Sequence, residues 1–140
     1  MMVLGGLAAT MLVLVGALHV VWMFSPWPVR TREEFASKVV GVEADDLPNR
    51  FLTALVAIAL FAAAYLVAAR AGLVAVVGPE WGVPVGVAIV AGVLLLRGVA
   101  GFVTSARKNT EFAYWDLRVY APLCVVLGGA CLAVAVGATG

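Results

Sequence analysis

Charged side chains are scarce in this sequence. They make up 12% of its 140 residues, whereas soluble domains carry about a quarter. The formal net charge of +1 argues against a nucleic acid or a strongly acidic partner. Hydrophobic residues account for 64% of the chain, and the mean hydropathy is +1.10. This composition predicts an integral membrane protein surrounded by membrane lipids, and the length allows a single transmembrane domain over residues 1–140.

Histidine, cysteine and familiar catalytic motifs are also scarce. Cys124 and Cys131 lie seven positions apart, about 10.5 Å along a helix, which is too far for a disulfide. His19 has no second histidine or acid at ligand spacing, so we expect no metal site. The sequence lacks a phosphate-binding glycine loop, a nucleophile elbow, a zinc-ligand helix and a paired aspartate-rich motif. We therefore expect no cofactor, and ionisation of a diphosphate is not the expected chemistry.

Four apolar runs predict the architecture. They span about 3–24, 51–69, 83–104 and 121–138, and each suits a helix crossing a bilayer. The connecting segments 25–50 and 105–120 hold most of the lysines and arginines, so the positive-inside rule predicts that both are cytoplasmic loops. We expect an all-α membrane protein, a four-transmembrane-helix bundle with N-out and C-out topology. In the first loop, Thr31 and Glu34 form a capping-box pattern that predicts a surface helix near 32–41.

Arg97 interrupts the third apolar run. An arginine near the middle of a span costs about 2.5–3.5 kcal/mol on insertion scales, so it normally faces the bundle interior and finds a partner. Glu111 and Asp116 are the candidate counterions. Two roles remain open, a structural ion pair between the third and fourth helices or a contact with a substrate.

The stretch 109–120 concentrates two acids, an amide, an arginine and three aromatic rings. On a helix, one face would carry Glu111, Tyr114, Trp115 and Arg118, and another Asp116 and Tyr120. A carboxyl group buried against apolar walls can stay protonated and donate its proton, whereas one beside an arginine stays ionised. The alternative is an interfacial cap, because tryptophan and tyrosine are common at membrane surfaces.

His19 and Trp22 lie three positions apart at the end of the first run. A lone histidine in a span either bonds to a neighbouring helix or lines a polar cavity. The predicted topology places both side chains in the cytoplasmic half, together with Arg97 and the stretch 109–120. A transporter or channel should instead have polar residues through the full depth of the membrane, and it would need to form an oligomer. Homo-oligomerisation otherwise stays open.

Three segments carry a resemblance to a known family. They are His19-x-x-Trp22, Arg97-Gly98 and residues 107–124, with Phe112 to Cys124 the most specific part. Together they resemble a family of small four-helix bacterial membrane proteins of largely unknown function. The resemblance extends to the membrane-bound cyclases of xiamycin-type indole-sesquiterpene pathways, which close a terminal-epoxide prenyl chain into fused rings. It implies a multi-pass protein of the bacterial inner (cytoplasmic) membrane and a terpene cyclase of the isomerase type acting on a lipid-soluble prenylated substrate.

The residues are compatible with such a reaction. Opening an epoxide requires an acid, which Asp116 or Glu111 could supply, and carbocations are stabilised by aromatic faces. The expected catalytic residues are Asp116, Glu111, His19 and Arg97, and the expected substrate-binding residues are Trp22, Tyr114, Trp115, Arg118, Tyr120 and Asn109. The competing hypothesis is a non-catalytic membrane protein in which the charged stretch fixes helix packing or docks a partner.

Overall fold

The described part of this chain is mainly helical. A computed structural model describes residues 2–25, 31, 34, 38, 39 and 50–137. Four helical stretches within this part are long and apolar enough to cross a membrane, with mean hydropathies of 2.1 to 2.5. The prediction of an all-helical protein with four such helices is thereby confirmed. The elements are α1 (Met2–Trp22), α2 (Arg50–Arg70), α3 (Gly82–Ser105), α4 (Glu111–Trp115), a π-helix (Asp116–Tyr120) and α5 (Ala121–Gly137).

The charged segment between α1 and α2 lies mostly outside the described residues. The part that is described shows the hydroxyl of Thr31 accepting a hydrogen bond from the Glu34 N–H at 3.0 Å. The Glu34 carboxylate also pairs with the Lys38 ammonium at 3.1 Å. The threonine contact is the one that a capping box requires. The rest of the predicted surface helix near 32–41 lies outside the described residues.

The last helical stretch begins earlier than the hydropathy pattern suggests. Residues 111–120 were expected to form part of a loop, but helical structure starts at Glu111 and continues to Gly137. The Thr110 hydroxyl accepts a hydrogen bond from the Ala113 N–H at 3.1 Å and so caps the first turn. Glu111 places a negative charge at this helix start, which is electrostatically favourable. Local capping therefore extends the helix into a stretch whose polarity is typical of a loop.

Antiparallel pairs of helices form the bundle. The two most extensive contacts join α1 to α2 and α3 to α5. Glycines allow close approach in the second pair, since a Cβ added to Gly98 would lie 3.0 Å from the backbone nitrogen of Val125. A Cβ added to Gly128 would lie 2.9 Å from the backbone nitrogen of Leu95. Small residues serve the same purpose in membrane helix packing generally.

The bundle has two chemically different ends. Side chains such as Leu12, Val67, Val87 and Val134 fill the apolar centre. Where α2 and α5 end, Arg70 donates a hydrogen bond to the Ala135 carbonyl at 2.9 Å, and we call this the Arg70 end. The opposite end, where α3 finishes and the π-helix lies, is called the Asp116 end.

Both cysteines are free, as the sequence predicted. Cys131 is fully buried in the apolar centre, where a thiol behaves as a small apolar group. Cys124 is only partly buried and lies about two helical turns closer to the Asp116 end.

Candidate functional site

An ion pair between α3 and the π-helix is the most unusual feature of the bundle. The Arg97 Nη2 lies 3.0 Å from the Asp116 Oδ1. The aspartate side chain is 1% exposed, whereas the arginine side chain is 42% exposed. Of the two counterions that the sequence offered, the structure selects Asp116, and Glu111 lies on the exposed surface at the start of α4. The carboxylate is therefore enclosed by protein, while part of the arginine side chain remains accessible.

The second Asp116 oxygen is also engaged. The Ser105 hydroxyl donates a hydrogen bond to the Asp116 Oδ2 at 2.5 Å, and Ser105 is 2% exposed. Short O–H···O⁻ distances are typical of charge-assisted hydrogen bonds. Each carboxylate oxygen thus has its own donor, an arrangement that satisfies a buried carboxylate. Arg97, Ser105 and Asp116 are called the Asp116 cluster below.

Gly101 makes room for this cluster. It lies one turn after Arg97 and one turn before Ser105, so the three residues share a face of α3. A Cβ added to Gly101 would lie 2.5 Å from the Arg97 Nη1 and 2.9 Å from the Asp116 Oδ2. The guanidinium and the carboxylate consequently lie directly against the α3 backbone, where any larger residue at 101 would displace them.

The π-helix that carries Asp116 has a local cause. The Ala121 N–H donates to the Asp116 carbonyl, closing the wide i to i−5 turn. Pro122 follows, and a proline inside a regular helix has no N–H to donate and clashes with the carbonyl four residues before it. A wider turn ahead of the ring relieves this conflict. Single π-turns are often found at functional sites, and this one places the acid in the helix interface.

Two further polar side chains lie near the carboxylate. Tyr120 and Cys124 follow Asp116 at spacings of four and eight, and both are close enough to experience its charge. The Tyr120 hydroxyl donates to the Lys38 carbonyl at 2.9 Å. This bond ties the segment between α1 and α2 to the helix that carries the acid.

Comparison with known proteins adds one finding. A family model described as a protein of unknown function, DUF3995, matches residues 12–131. The chain belongs to the DUF3995 family. No curated protein and no solved structure matches it. The matched range includes the whole Asp116 cluster, but the family description assigns it no role.

Two aromatic residues just before Asp116 are exposed. Tyr114 and Trp115 are 50% and 39% exposed, and their rings meet edge to face at 5.3 Å. The Arg118 guanidinium stacks 3.9 Å from the centre of the Tyr114 ring. Asn109 lies exposed in the turn before α4. The structure therefore separates these predicted substrate-binding residues from Asp116, although all lie at the same end.

His19 is also separate from the Asp116 cluster. Its Nδ1 lies 2.8 Å from the Val15 carbonyl in the same helix, so Nδ1 carries a proton in this contact and Nε2 is left as the second ring nitrogen. Its ring lies 4.7 Å from that of Trp22. In the part of the chain that is described, no hydrogen bond or ion pair joins His19 to Arg97 or Asp116. His19 and the Asp116 cluster therefore lie at the same end of the bundle without such a bond between them.

Other surfaces offer less chemistry. An open groove of about 410 Å³ between α1 and α2 is lined mainly by apolar side chains, with Thr10 and Tyr65 as its polar members. It contains no member of the Asp116 cluster. Among the described residues, no three His, Cys, Asp or Glu side chains gather as metal ligands would.

Sequence analysis missed Ser105 and Gly101. Their signal was the spacing of four that links them to Arg97, which predicts a continuous stripe on one helix face. Cys124, which the sequence analysis considers only for a disulfide, lies eight positions after Asp116. A search for small or polar residues at helical spacing from each membrane-embedded charge would have found all three.

Proposed function

We propose that this protein is an intramembrane enzyme acting on a lipid-soluble prenylated substrate. The observation that carries the proposal is the Asp116 cluster, a completely buried carboxylate held by an arginine that is itself still partly accessible. Ionisable groups within membrane spans are expensive and often mark functional sites. The most concrete form of the reaction is acid-initiated cyclisation of an epoxy-prenyl compound, as the resemblance to xiamycin-type cyclases suggests.

Such a reaction needs no co-reactant. A proton is added to the epoxide oxygen, the C–O bond breaks, and alkene electrons form the new ring bonds. Loss of a proton from carbon ends the sequence, so substrate and product are isomers. This balance is consistent with the expectation that no cofactor takes part.

The contacts of the two acids support different roles for them. Asp116 accepts hydrogen bonds from both Arg97 and Ser105, so each of its oxygens is already engaged, which supports a positioning role for this residue. Glu111 has an exposed side chain and is the remaining proton donor of the two. Trp115 lies on the same exposed side and could stabilise a carbocation by cation–π attraction, whereas the Tyr114 ring already stacks with Arg118.

The orientation and location form part of the same proposal. With segments 25–50 and 105–120 on the cytoplasmic side, both termini lie outside, and the Asp116 end lies in the cytoplasmic half of the bacterial inner membrane. A prenylated substrate dissolved in the bilayer would reach this end laterally. Cysteine accessibility to a membrane-impermeant reagent, after placing single cysteines near residues 2 and 108 in a chain lacking Cys124 and Cys131, tests this orientation.

Product formation tests the enzymatic proposal. Membranes expressing the native chain are supplied with a farnesylated indole that bears a terminal epoxide. We expect cyclised product, no product from Glu111→Gln, and a strongly reduced yield from Asp116→Asn. Immunoblotting of detergent-extracted protein controls for expression and folding. Full product from the variant that combines Glu111→Gln with Asp116→Asn, or none from the native chain, contradicts the proposal.

A structural or interaction protein is the second candidate. It is favoured by the complete burial of Asp116, because a carboxylate enclosed by α3 and the π-helix also serves to lock these helices together. This alternative requires only that the ion pair stabilise the bundle. It predicts that substitutions in the Asp116 cluster lower the thermal stability of the protein without changing the formation of cyclised product.

A further inference from the structure

Arg97 has hydrogen-bonding capacity that the described residues do not use. A guanidinium carries five N–H donors, and its described hydrogen bond is the one from Nη2 to Asp116 Oδ1. The side chain is 42% exposed although α3 has the length and hydropathy of a membrane span. Leaving polar N–H groups without acceptors in hydrocarbon is costly. An acceptor from outside the bundle would complete the arginine's contacts.

The position of the guanidinium limits what can reach it. Arg97 precedes the end of α3 at Ser105 by eight residues, or about 12 Å. Its Nη1 lies over Gly101, which places the head group one turn closer to that end than its own Cα. A molecule dissolved in the bilayer can bring a polar end to this depth while its hydrocarbon chain stays among the lipids.

The charge of the cluster indicates the chemical class of the acceptor. Arg97 and Asp116 form a one-to-one ion pair, and the nearby Ser105, Tyr120 and Cys124 add no charge of their own when protonated. A phosphate or carboxylate bound here would leave a net negative charge close to the apolar region. A neutral oxygen accepts the free N–H groups without this cost.

We infer that Arg97 binds the uncharged oxygen at one end of an isoprenoid lipid, such as an epoxide, hydroxyl or carbonyl oxygen. That the ligand has an isoprenoid chain rests on the proposed function, whereas its neutral oxygen is inferred from the contacts of the cluster. Asp116 holds the guanidinium in place, and Gly101 supplies the room for it. Arg97 is then the residue that selects the polar end of the substrate.

Direct binding tests this inference without turnover. The purified protein is reconstituted in phosphatidylcholine nanodiscs, and dissociation constants are measured for farnesol, farnesene and farnesyl phosphate. Farnesol should bind about tenfold more tightly than farnesene, because a hydrogen bond to a charged donor contributes at least this factor. Farnesyl phosphate should bind no more tightly than farnesol. Equal affinity for farnesol and farnesene, or no binding of either, overturns the inference, and so does tighter binding of the phosphate.

Variants assign the preference to Arg97. Arg97→Lys should reduce the farnesol preference several-fold, and the apolar double variant Arg97→Met with Asp116→Leu should abolish it while farnesene affinity stays unchanged. Arg107→Lys, on the exposed turn after α3, is the matched control and should keep the native ratio. A preference that survives in the double variant overturns the inference even if the native chain makes product. An Arg97-dependent preference without product supports the inference and contradicts the enzymatic proposal.

Discussion

Both ends of the bundle carry an arginine that reaches towards the last helix, but the two arginines meet different partners. Arg70 donates to the Ala135 carbonyl in the final turns of α5, where a cation is favoured by the helix dipole. Arg97 pairs with the buried Asp116, whose other oxygen binds Ser105. Arg70 lies in the last turn of its helix, whereas Arg97 lies two turns inside α3.

The two arginines therefore differ in what each needs from its surroundings. A terminal arginine that contacts a backbone carbonyl needs no acid and can be replaced by other residues that fit the same space. An arginine inside a span requires a buried carboxylate, a serine, a glycine without a Cβ and a π-turn to accommodate it. The bundle therefore places four specialised features at the Asp116 end, and one of them, Gly101, also allows Ala121 to pack closely against α3.

Replacement of Asp116 should lower the stability of the bundle more than any change at the Arg70 end. Asp116→Ala leaves Arg97 without its partner. Loss of one member of a buried ion pair costs about 3–5 kcal/mol, and the lower value is expected because the Arg97 side chain is 42% exposed. We expect a reduction of about 3 kcal/mol in the free energy of unfolding, measured by denaturant titration in mixed micelles. In an Arg97→Met background the same substitution should cost much less. A loss below about 1 kcal/mol would show that the pair contributes little.

Filling the space at Gly101 should have the next largest effect. The new methyl group of Gly101→Ala would collide with Arg97 and Asp116, and overpacking of this kind costs about 2 kcal/mol. Gly92→Ala on the same helix is the matched control, because a Cβ there meets nothing within 4 Å. It should leave the unfolding free energy unchanged or slightly raised. Equal effects of the two substitutions would contradict the close packing described here.

Loss of the serine hydroxyl should have a smaller effect. Ser105→Ala removes a hydrogen bond to a buried carboxylate, which contributes about 1.5 kcal/mol. Thr104→Ala is the neighbouring control, since the Thr104 hydroxyl bonds to the Ala100 carbonyl of its own helix at 2.8 Å. The midpoints of thermal unfolding of the two variants should differ clearly, and coincident midpoints would argue against a strong Ser105 bond.

Substitution at the other end should have the smallest effect. Arg70→Met removes one hydrogen bond to the Ala135 carbonyl and also removes a buried Nε that has no partner among the described residues. These contributions oppose each other, so we expect a net loss of about 1 kcal/mol or less. Product formation should remain at the native level. A loss of activity comparable to that of Asp116→Asn would remove the distinction between the two ends.

The fold was largely predictable because hydropathy and length identify membrane spans directly. The same reasoning placed residues 111–120 in a loop, since it weighs average polarity and not the capping of Thr110 or the accommodation of Pro122. The wide turn that buries Asp116 depends on that proline and on the partner helix, which a sequence window does not include.

The candidate site was predictable only in part. An arginine within a span requires a counterion, so Arg97 and one of two nearby acids followed from charge alone. Whether Asp116 or Glu111 pairs with Arg97 depends on how the π-turn rotates each side chain around the helix. Ser105 belongs to the cluster because it lies two turns after Arg97 on the same face of α3. The same rotation exposes Tyr114, Trp115 and Arg118. A regular α-helix predicts these side-chain directions only approximately, because the π-turn changes the number of residues per turn.

Replacing the ion pair by apolar side chains tests the central claim, that the Asp116 cluster exists for chemistry and not for stability. Exchange of a buried ion pair for apolar residues of similar volume is often neutral or stabilising, and the Ser105 hydroxyl can bond to its own helix carbonyl instead. The measurement is product formation from the epoxide-bearing farnesylated indole by the Arg97→Met, Asp116→Leu double variant, with its unfolding free energy determined in parallel. We expect a stable, correctly inserted protein that forms no product, whereas product at the native rate would contradict the claim.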